Sequence, residues 1–286
     1  MRISGMRRSR GFSLLEMLVV ITTICLLVTL LLPAVNAVRE ASRRCTCLNN
    51  MRQCMTALNN YNLVHGSLPP GSVDPGRPIS SVPKGYHYSW IVQVLPYLDS
   101  EPLYDGFNFD LGVYHPHHQT LRLTTLNVLL CPSDPNRTPK GQPASSNIAG
   151  CHHHGEAPID ITNNGMLFLN SAIKPEQLDD GFSNTLLISE KDYETGDLGW
   201  ASGTRATLRN TGGGSTMMGR FGGPIAFAPA SPLSVGVFGS SHPGIVNAGF
   251  ADGSAKALKG GGWAIYGARD KSKIELDDDR AGLPGL

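Results

Sequence analysis

A single carboxylate, Glu16, stands in an otherwise apolar run that extends from Phe12 to Leu32. As an α-helix, a run of this length would be roughly 31 Å long, close to the hydrocarbon thickness of a bilayer. A carboxylate near the start of such a helix is favoured by the helix dipole, but its desolvation still costs a few kcal/mol. The sequence therefore predicts a membrane-spanning helix in which Glu16 needs a partner of opposite charge.

The residues before this helix are basic. Arg2, Arg7, Arg8 and Arg10 precede it with no acidic residue among them, which favours a cytoplasmic N-terminus. Three arginines between positions 39 and 44, on the far side of the span, weaken that inference.

The order Arg10-Gly11-Phe12, followed by Glu16 and the apolar run, resembles the cleavage and methylation signature of type IV pilins and type II secretion pseudopilins. The resemblance implies that a prepilin peptidase cuts after Gly11 and methylates the new amino terminus of Phe12. It also implies that Glu16 pairs with the N-terminal amine of a neighbouring subunit during assembly.

Three other interpretations of the N-terminus stay open. An ordinary secretory signal could be cut after Ala37, but the rules for such signals explain neither Glu16 nor the Gly11-Phe12 junction. A lipoprotein cut before Cys25 fits less well, because Thr23 and Ile24 occupy positions where small residues are expected. An uncleaved membrane anchor is the third.

The elements that would position these residues begin with one long helix from about Phe12 to Val64. Beyond Pro33, which we expect to kink the helix, apolar residues recur every three or four positions, as in an amphipathic helix, until Gly66 ends it. We predict a leader at 1–11, a transmembrane helix at 12–33, its amphipathic continuation at 34–65, and an extracytoplasmic domain at 66–286 that finishes in an acidic tail. The fold class expected is α+β: a long helix packed on an antiparallel sheet with long loops.

The C-terminal part of that domain contains a predicted β-hairpin. Its strands are 245–251 and 254–258, and Asp252-Gly253 supplies the backbone angles of a two-residue turn. His242 precedes Asp252 by ten positions, giving the pattern H-x9-DG. Together with the N-terminal signature and motifs such as Cys131-Pro-Ser-Asp134, this resembles a family of large bacterial pilin-like proteins of undefined function. The resemblance implies an exported, membrane-anchored, filament-type subunit and no particular chemistry.

The same C-terminal region also invites a catalytic interpretation. Ser240 and Ser241 adjoin His242, with Asp252 nearby, but Pro243 departs from a nucleophile elbow and no helix pattern follows. We favour a structural role, in which a hydrogen bond between His242 and Asp252 ties the hairpin to the preceding loop. No enzymatic activity is predicted.

Metal ligands are present, but their spacing matches no standard site. Histidines cluster at 115–118 and 152–154, where we expect solvated loops, and the acidic run at 277–279 lacks the pattern of a calcium loop. The six cysteines allow one or two disulfides, without fixing a connectivity, and they stand at positions 25, 45, 47, 54, 131 and 151. No metal and no cofactor are predicted.

Composition excludes a nucleic-acid partner, because the net charge is +1 and no basic stripe carries interleaved aromatic residues. The function expected is a structural subunit of a type II secretion pseudopilus or type IV pilus-like filament. Its partners would be prepilin peptidase, other pilin-like subunits and the inner membrane, which the chain would cross once. The alternative is a non-polymerising, membrane-anchored surface protein whose outer domain binds a glycan or a metal.

Overall fold

The computed structural model describes residues 13–136, 138–174, 178, 181–212 and 231–259. The chain divides into two compact units, with the boundary between Ser42 and Arg43. The predicted leader, 1–11, and the acidic tail at 277–279 lie outside the described residues, as do Gly11 and Phe12.

A 52-residue helix, α1 (Leu14–His65), begins in the first unit and ends in the second. The helix continues through Pro33. In the first unit its polar side chains are satisfied by the helix itself: the Thr22 hydroxyl donates to the Leu18 carbonyl (3.0 Å), and the Thr29 hydroxyl donates to the Cys25 carbonyl (2.7 Å). Such internal bonds are what an apolar solvent demands of a helix.

In the second unit, α1 turns one face into the core. Its buried residues follow helical spacing, with Met51, Met55 and Leu58 on one stripe, whereas Cys45 is exposed. The helix ends where the sequence predicts. Gly66 adopts a φ of +72°, which favours glycine, and its N–H donates to the Asn62 carbonyl (2.8 Å).

The core is a five-stranded sheet in the order β5-β3-β4-β6-β7. Its strands are β3 (Ile148–His153), β4 (Leu186–Glu190), β5 (Leu208–Asn210), β6 (Ile245–Phe250) and β7 (Ala255–Lys259). Neighbouring strands are antiparallel except β3 and β5, which are parallel, so the sheet is mixed. The predicted α+β, pilin-like arrangement of a long helix and a sheet domain is confirmed, but the sheet is not wholly antiparallel as expected, because β5 joins it parallel to β3.

Both faces of the sheet are buried along strands β3 to β6, whereas the edge strand β7 is largely exposed. Because side chains alternate along a strand, Ile148 of β3 packs in the same cluster as Met55 of α1, while Ala149 and Cys151 enter a second cluster with Phe250. The register pairs Ala149 with Ser189 and Ser189 with Ala248, which places β4 in the middle of the sheet.

Short elements cover the region before the sheet. They are β1 (Ser72–Val73), β2 (Tyr88–Ser89), α2 (Trp90–Val94), α3 (Glu101–Asp105) and α4 (Gln119–Leu123), with 3-10 turns at Leu95–Leu98, Pro116–His118 and Asn127–Leu129. A further 3-10 turn, Phe182–Asn184, lies between β3 and β4. Most side chains of residues 88–98 are buried, and Trp90 donates its indole N–H to the Thr207 carbonyl inside the core (3.0 Å).

Candidate functional site

The N-terminal motif is visible from Ser13 onward. Ser13 caps α1: the Leu15 N–H donates to its hydroxyl oxygen (3.3 Å), and its own N–H donates to Glu16 Oε2 (2.9 Å). This reciprocal arrangement is a capping box, which places the Glu16 carboxylate at the positive end of the helix dipole. The structure therefore holds Glu16 beside the backbone N–H of Ser13, the second residue after the predicted cut.

The first unit of α1 exposes large apolar side chains all round. Leu14 is 86% exposed, Leu30 is 67% exposed, and even the less exposed Val20 reaches 44%. One helix among the described residues, α1, is long and apolar enough to cross a membrane. It is a candidate membrane anchor, as expected.

His242 and Asp252 do not meet. They lie at opposite ends of β6, whose six residues span roughly 20 Å at about 3.3 Å per residue. The predicted hydrogen bond between them is therefore wrong, because the strand that links them is extended.

Asp252 and Gly253 shape the hairpin turn instead. The Ser254 N–H donates to Asp252 Oδ1 (2.8 Å), and Gly253 takes a φ of +81°. The Phe250 N–H donates to the Ser254 carbonyl (2.9 Å), so the loop has three residues and not the two expected. A left-handed glycine in the last position is the usual solution for such a loop.

His242 belongs to a buried cluster with Cys47, Cys131 and Glu190. Their ligating atoms all lie within 4.8 Å of one another. Cys131 Sγ is 2.9 Å from Cys47 Sγ and 3.4 Å from His242 Nε2, and that nitrogen is 3.6 Å from Glu190 Oε1. Two thiols, an imidazole and a carboxylate thus converge in one place, away from solvent.

Each member comes from a different element. Cys47 lies on α1, Cys131 follows the 3-10 turn that ends at Leu129, Glu190 is the last residue of β4, and His242 precedes β6. The Cys131 N–H donates to Asn147 Oδ1 (3.0 Å), which fixes the backbone at that position. The cluster forms only when the helix and the sheet come together.

The Glu190 carboxylate is held by three donors. The Ser240 hydroxyl (2.8 Å) and the Asn247 N–H (2.9 Å) donate to Oε2, and the Asn247 side-chain amide donates to Oε1 (2.8 Å). Ser240 is therefore a hydrogen-bond partner of Glu190.

The electrostatics of the cluster are anionic. The hydrogen bond from the Cys47 thiol, supported by His242, lowers the pKa of Cys131 to about 5, although burial acts in the opposite direction. Burial, and then the charge of Cys131, raises the pKa of Glu190. Two acidic groups therefore compete for the same imidazole, so a cation placed among them would be stabilised.

Comparison with known protein families gives two matches, one over most of the chain and one at its N-terminus. Residues 36–259 match a family described as Protein of unknown function (DUF1559), and residues 6–32 match the Prokaryotic N-terminal methylation motif. The chain belongs to the DUF1559 family. No curated protein and no solved structure gives a significant match.

The methylation motif supports the sequence interpretation of the N-terminus in this DUF1559 protein. It marks the chain as prepilin-like and implies processing by a prepilin peptidase and association with the membrane. The cleavage and methylation positions, Gly11 and Phe12, stay predictions, as does the pairing of Glu16.

The cluster of this DUF1559 protein is not arranged as a catalytic triad. In a triad, the two ring nitrogens of the histidine face the nucleophile and the acid separately. Here Cys131 and Glu190 both approach Nε2 of His242. All four side chains are buried, so a substrate would have no approach to the thiol.

The expectation that the two histidine runs are solvated loops is wrong for their buried members. His152 lies within β3, fully buried, with its ring nitrogens 2.9 Å from the Arg209 carbonyl and 3.0 Å from the Ala157 carbonyl. His118 is also fully buried. Both serve as internal hydrogen-bonding groups: the His118 ring accepts from the Asn108 N–H, and the neutral His152 ring donates to one of its two carbonyl neighbours.

Sequence reasoning missed Cys47, Cys131 and Glu190 as functional residues. Each has an ordinary explanation when taken singly, and they occur on separate segments with no ligand spacing to connect them. The available signals were weak: a cysteine before Pro132, a carboxylate at the exit of a buried strand, and the histidine of the H-x9-DG pattern.

Proposed function

We propose that this protein is a structural subunit of a type II secretion pseudopilus or a type IV pilus-like filament. Before assembly it would sit in the inner membrane as a single-pass protein, with its N-terminus in the cytoplasm and its sheet domain outside. Prepilin peptidase would remove residues 1–11 and methylate Phe12. The proposal includes no catalytic step by this chain.

The observation that carries the proposal is the start of α1, where a carboxylate precedes an apolar surface exposed on every side. The side chains from Leu14 to Leu32 need an apolar environment, and both a bilayer and a bundle of identical helices provide one. The transfer of the helix from lipid to filament then costs little free energy, because one apolar environment replaces another.

Glu16 supplies the direction and register of that transfer. An isolated carboxylate inside lipid is unfavourable by a few kcal/mol, even at a helix N-terminus. In the monomer its one described donor is the Ser13 N–H. A methylated amine on the neighbouring subunit would neutralise it, so insertion in register is favoured over any other position.

The test compares Glu16→Ala, Glu16→Gln and Ser13→Ala in the full-length protein expressed in its own cells. Intact mass reports processing, through the loss of residues 1–11 and the gain of one methyl group. Recovery in a sheared filament fraction reports assembly. We expect both Glu16 variants to be processed but excluded from filaments, because neither carries the charge.

Ser13→Ala is the matched control. It removes the hydroxyl that caps the Leu15 N–H but leaves the carboxylate, so it should be processed and assembled. Normal assembly of Glu16→Ala would contradict the filament proposal. Processing of the wild type without recovery in any filament would favour the alternative, a non-polymerising surface protein that binds a glycan or a metal.

A further inference from the structure

We propose that Cys47, Cys131, Glu190 and His242 form a closed zinc site that fastens the second half of α1 to the sheet. The proposal does not depend on the filament function, because the site lies within the second unit of the chain. It adds a metal that sequence reasoning did not assign.

The distances among the donor atoms approach those of a tetrahedral site. With Zn–S bonds of about 2.3 Å and Zn–N or Zn–O bonds of about 2.0–2.2 Å, neighbouring ligand atoms lie roughly 3.3–3.8 Å apart. Cys131 Sγ is 3.4 Å from His242 Nε2, and that nitrogen is 3.6 Å from Glu190 Oε1. The two sulfurs, 2.9 Å apart, are the pair that has to separate.

The donor set suits zinc by chemical type. Two thiolates and an imidazole are ligands that zinc prefers, and a carboxylate oxygen is an accepted fourth ligand. Calcium and magnesium require sites composed of oxygen ligands, which this cluster does not provide. Zinc binds both sulfurs as thiolates, so binding would release to solvent any proton that the two thiols carry, and the divalent ion would then offset the negative charge that gathers around His242.

Groups around the cluster already orient its ligands. Ser240 and the Asn247 N–H occupy Oε2 of Glu190, so the carboxylate presents Oε1 toward His242. The backbone N–H of His242 donates to the Ser240 hydroxyl oxygen (3.1 Å), so one serine positions two of the proposed ligands. Outer hydrogen bonds of this kind are a usual feature of protein metal sites.

A closed site indicates a structural role for the ion. Four protein ligands leave no position for water or substrate, and all four side chains are buried. The ligands come from α1, the segment after Leu129, the end of β4 and the segment before β6. One ion would therefore join the helix, the central strand and both connecting segments.

The competing explanation is a disulfide between Cys47 and Cys131. The distance between the sulfurs does not decide between the two, since either state requires a shift of about 0.9 Å. The neighbouring side chains favour zinc, because a disulfide bears no charge and would not explain why an imidazole and a carboxylate are buried against it. A zinc ion uses all four groups.

The experiment uses the full-length protein in mild detergent, purified without chelators, equilibrated with zinc chloride and then desalted. Elemental analysis should find about one zinc per chain, as expected for a single four-ligand site. Exchange into cobalt chloride should give the charge-transfer absorption of cobalt bound to thiolate. Both measurements are made on the wild type, so they do not depend on a variant that folds.

Variants identify the ligands. Cys47→Ser and His242→Gln should lose the zinc, whereas Cys45→Ser, which changes an exposed cysteine on the same helix, should retain it. Ser240→Ala removes a donor to Glu190 but no ligand, so it should keep the site and weaken zinc affinity by roughly 10- to 100-fold.

Two results would overturn the proposal. One is a metal-free wild type whose intact mass, without reductant, is two hydrogens below that of the reduced chain, which would assign a disulfide. The other is a metal-free wild type in which both thiols react with an alkylating reagent after zinc treatment. Normal filament assembly of Glu16→Ala with zinc retained would contradict the filament function but leave the zinc site intact.

Discussion

The contact between α1 and the sheet can be tested at Gly249, the penultimate residue of β6. A Cβ atom at this position would meet the thioether sulfur of Met55, lie 2.7 Å from Met55 Cγ, and lie 3.1 Å from Ile188 Cγ1. Met55 comes from α1 and Ile188 from β4, so a methyl group here enters the space between the helix and the sheet. Gly249→Ala therefore probes whether the helix is seated as described.

The expected cost follows from the packing. Insertion of a methyl group into a filled core costs about 1–3 kcal/mol in the free energy of unfolding. Met55 is 1% exposed, and Met55→Ala should cost about 2–5 kcal/mol through the cavity it leaves. In the double variant the new methyl group occupies part of that cavity, so the combined loss should fall short of the sum by more than about 1 kcal/mol.

The assay is urea unfolding of the full-length protein in mild detergent, followed by tryptophan fluorescence. Trp90 and Trp200 are both fully buried and report on the core. Gly155→Ala is the matched control, because a Cβ there has nothing within 4 Å and should change little. Losses that add within about 0.5 kcal/mol would refute the seating of Met55 against Gly249.

Three further predictions use the same assay. The Lys191 side chain is 1% exposed, and its ammonium lies 2.6 Å from the Asp197 carboxylate. Asp197→Asn should cost about 3–5 kcal/mol in the free energy of unfolding, because it leaves the buried Lys191 charge without its partner. Additive losses in the double variant with Lys191→Met would contradict this. Gly253→Ala should cost about 1–2 kcal/mol, because its φ of +81° is unfavourable for alanine, and an unchanged urea midpoint would show that the turn adapts. Burial lowers the pKa of His118, whose Nε2 accepts from the Asn108 N–H (3.1 Å). The neutral ring therefore contributes to the free energy of unfolding above the ordinary histidine pKa, and this contribution is lost as the pH falls through that value. His118→Gln should accordingly lose less stability than the wild type between about pH 7.5 and 5.5, and equal losses would contradict the assignment.

The features that the sequence predicts well are local ones. The end of α1 at Gly66 and the β6–β7 hairpin both follow from residues adjacent in the chain. The methylation motif is likewise a short, ordered string whose meaning does not depend on the fold. In each case one or two neighbouring residues determine the backbone angles or the processing signal.

The features that the sequence does not predict depend on long-range packing. The histidines of β3 read as a polar loop because a polar run carries no alternation of apolar and polar residues. In the fold, His152 is buried because backbone carbonyls of Arg209 and Ala157 surround its ring. The parallel pairing of β3 with β5 is also a choice of topology that no single segment encodes.

Glu16 and Glu190 show why one carboxylate can be interpreted from sequence and the other cannot. A charge inside a long apolar run has few ordinary explanations, so the position of Glu16 in the chain is enough to indicate a partner. A carboxylate that ends a strand is ordinarily solvated, and only the fold reveals that Glu190 is 3% exposed. A buried acid must then be stabilised by specific neighbours, and Glu190 accepts hydrogen bonds from Ser240 and Asn247 beside an imidazole and two thiols. At both sites a carboxylate in an apolar environment needs stabilising partners. At Glu190, however, that environment is created by the packing of α1 on the sheet.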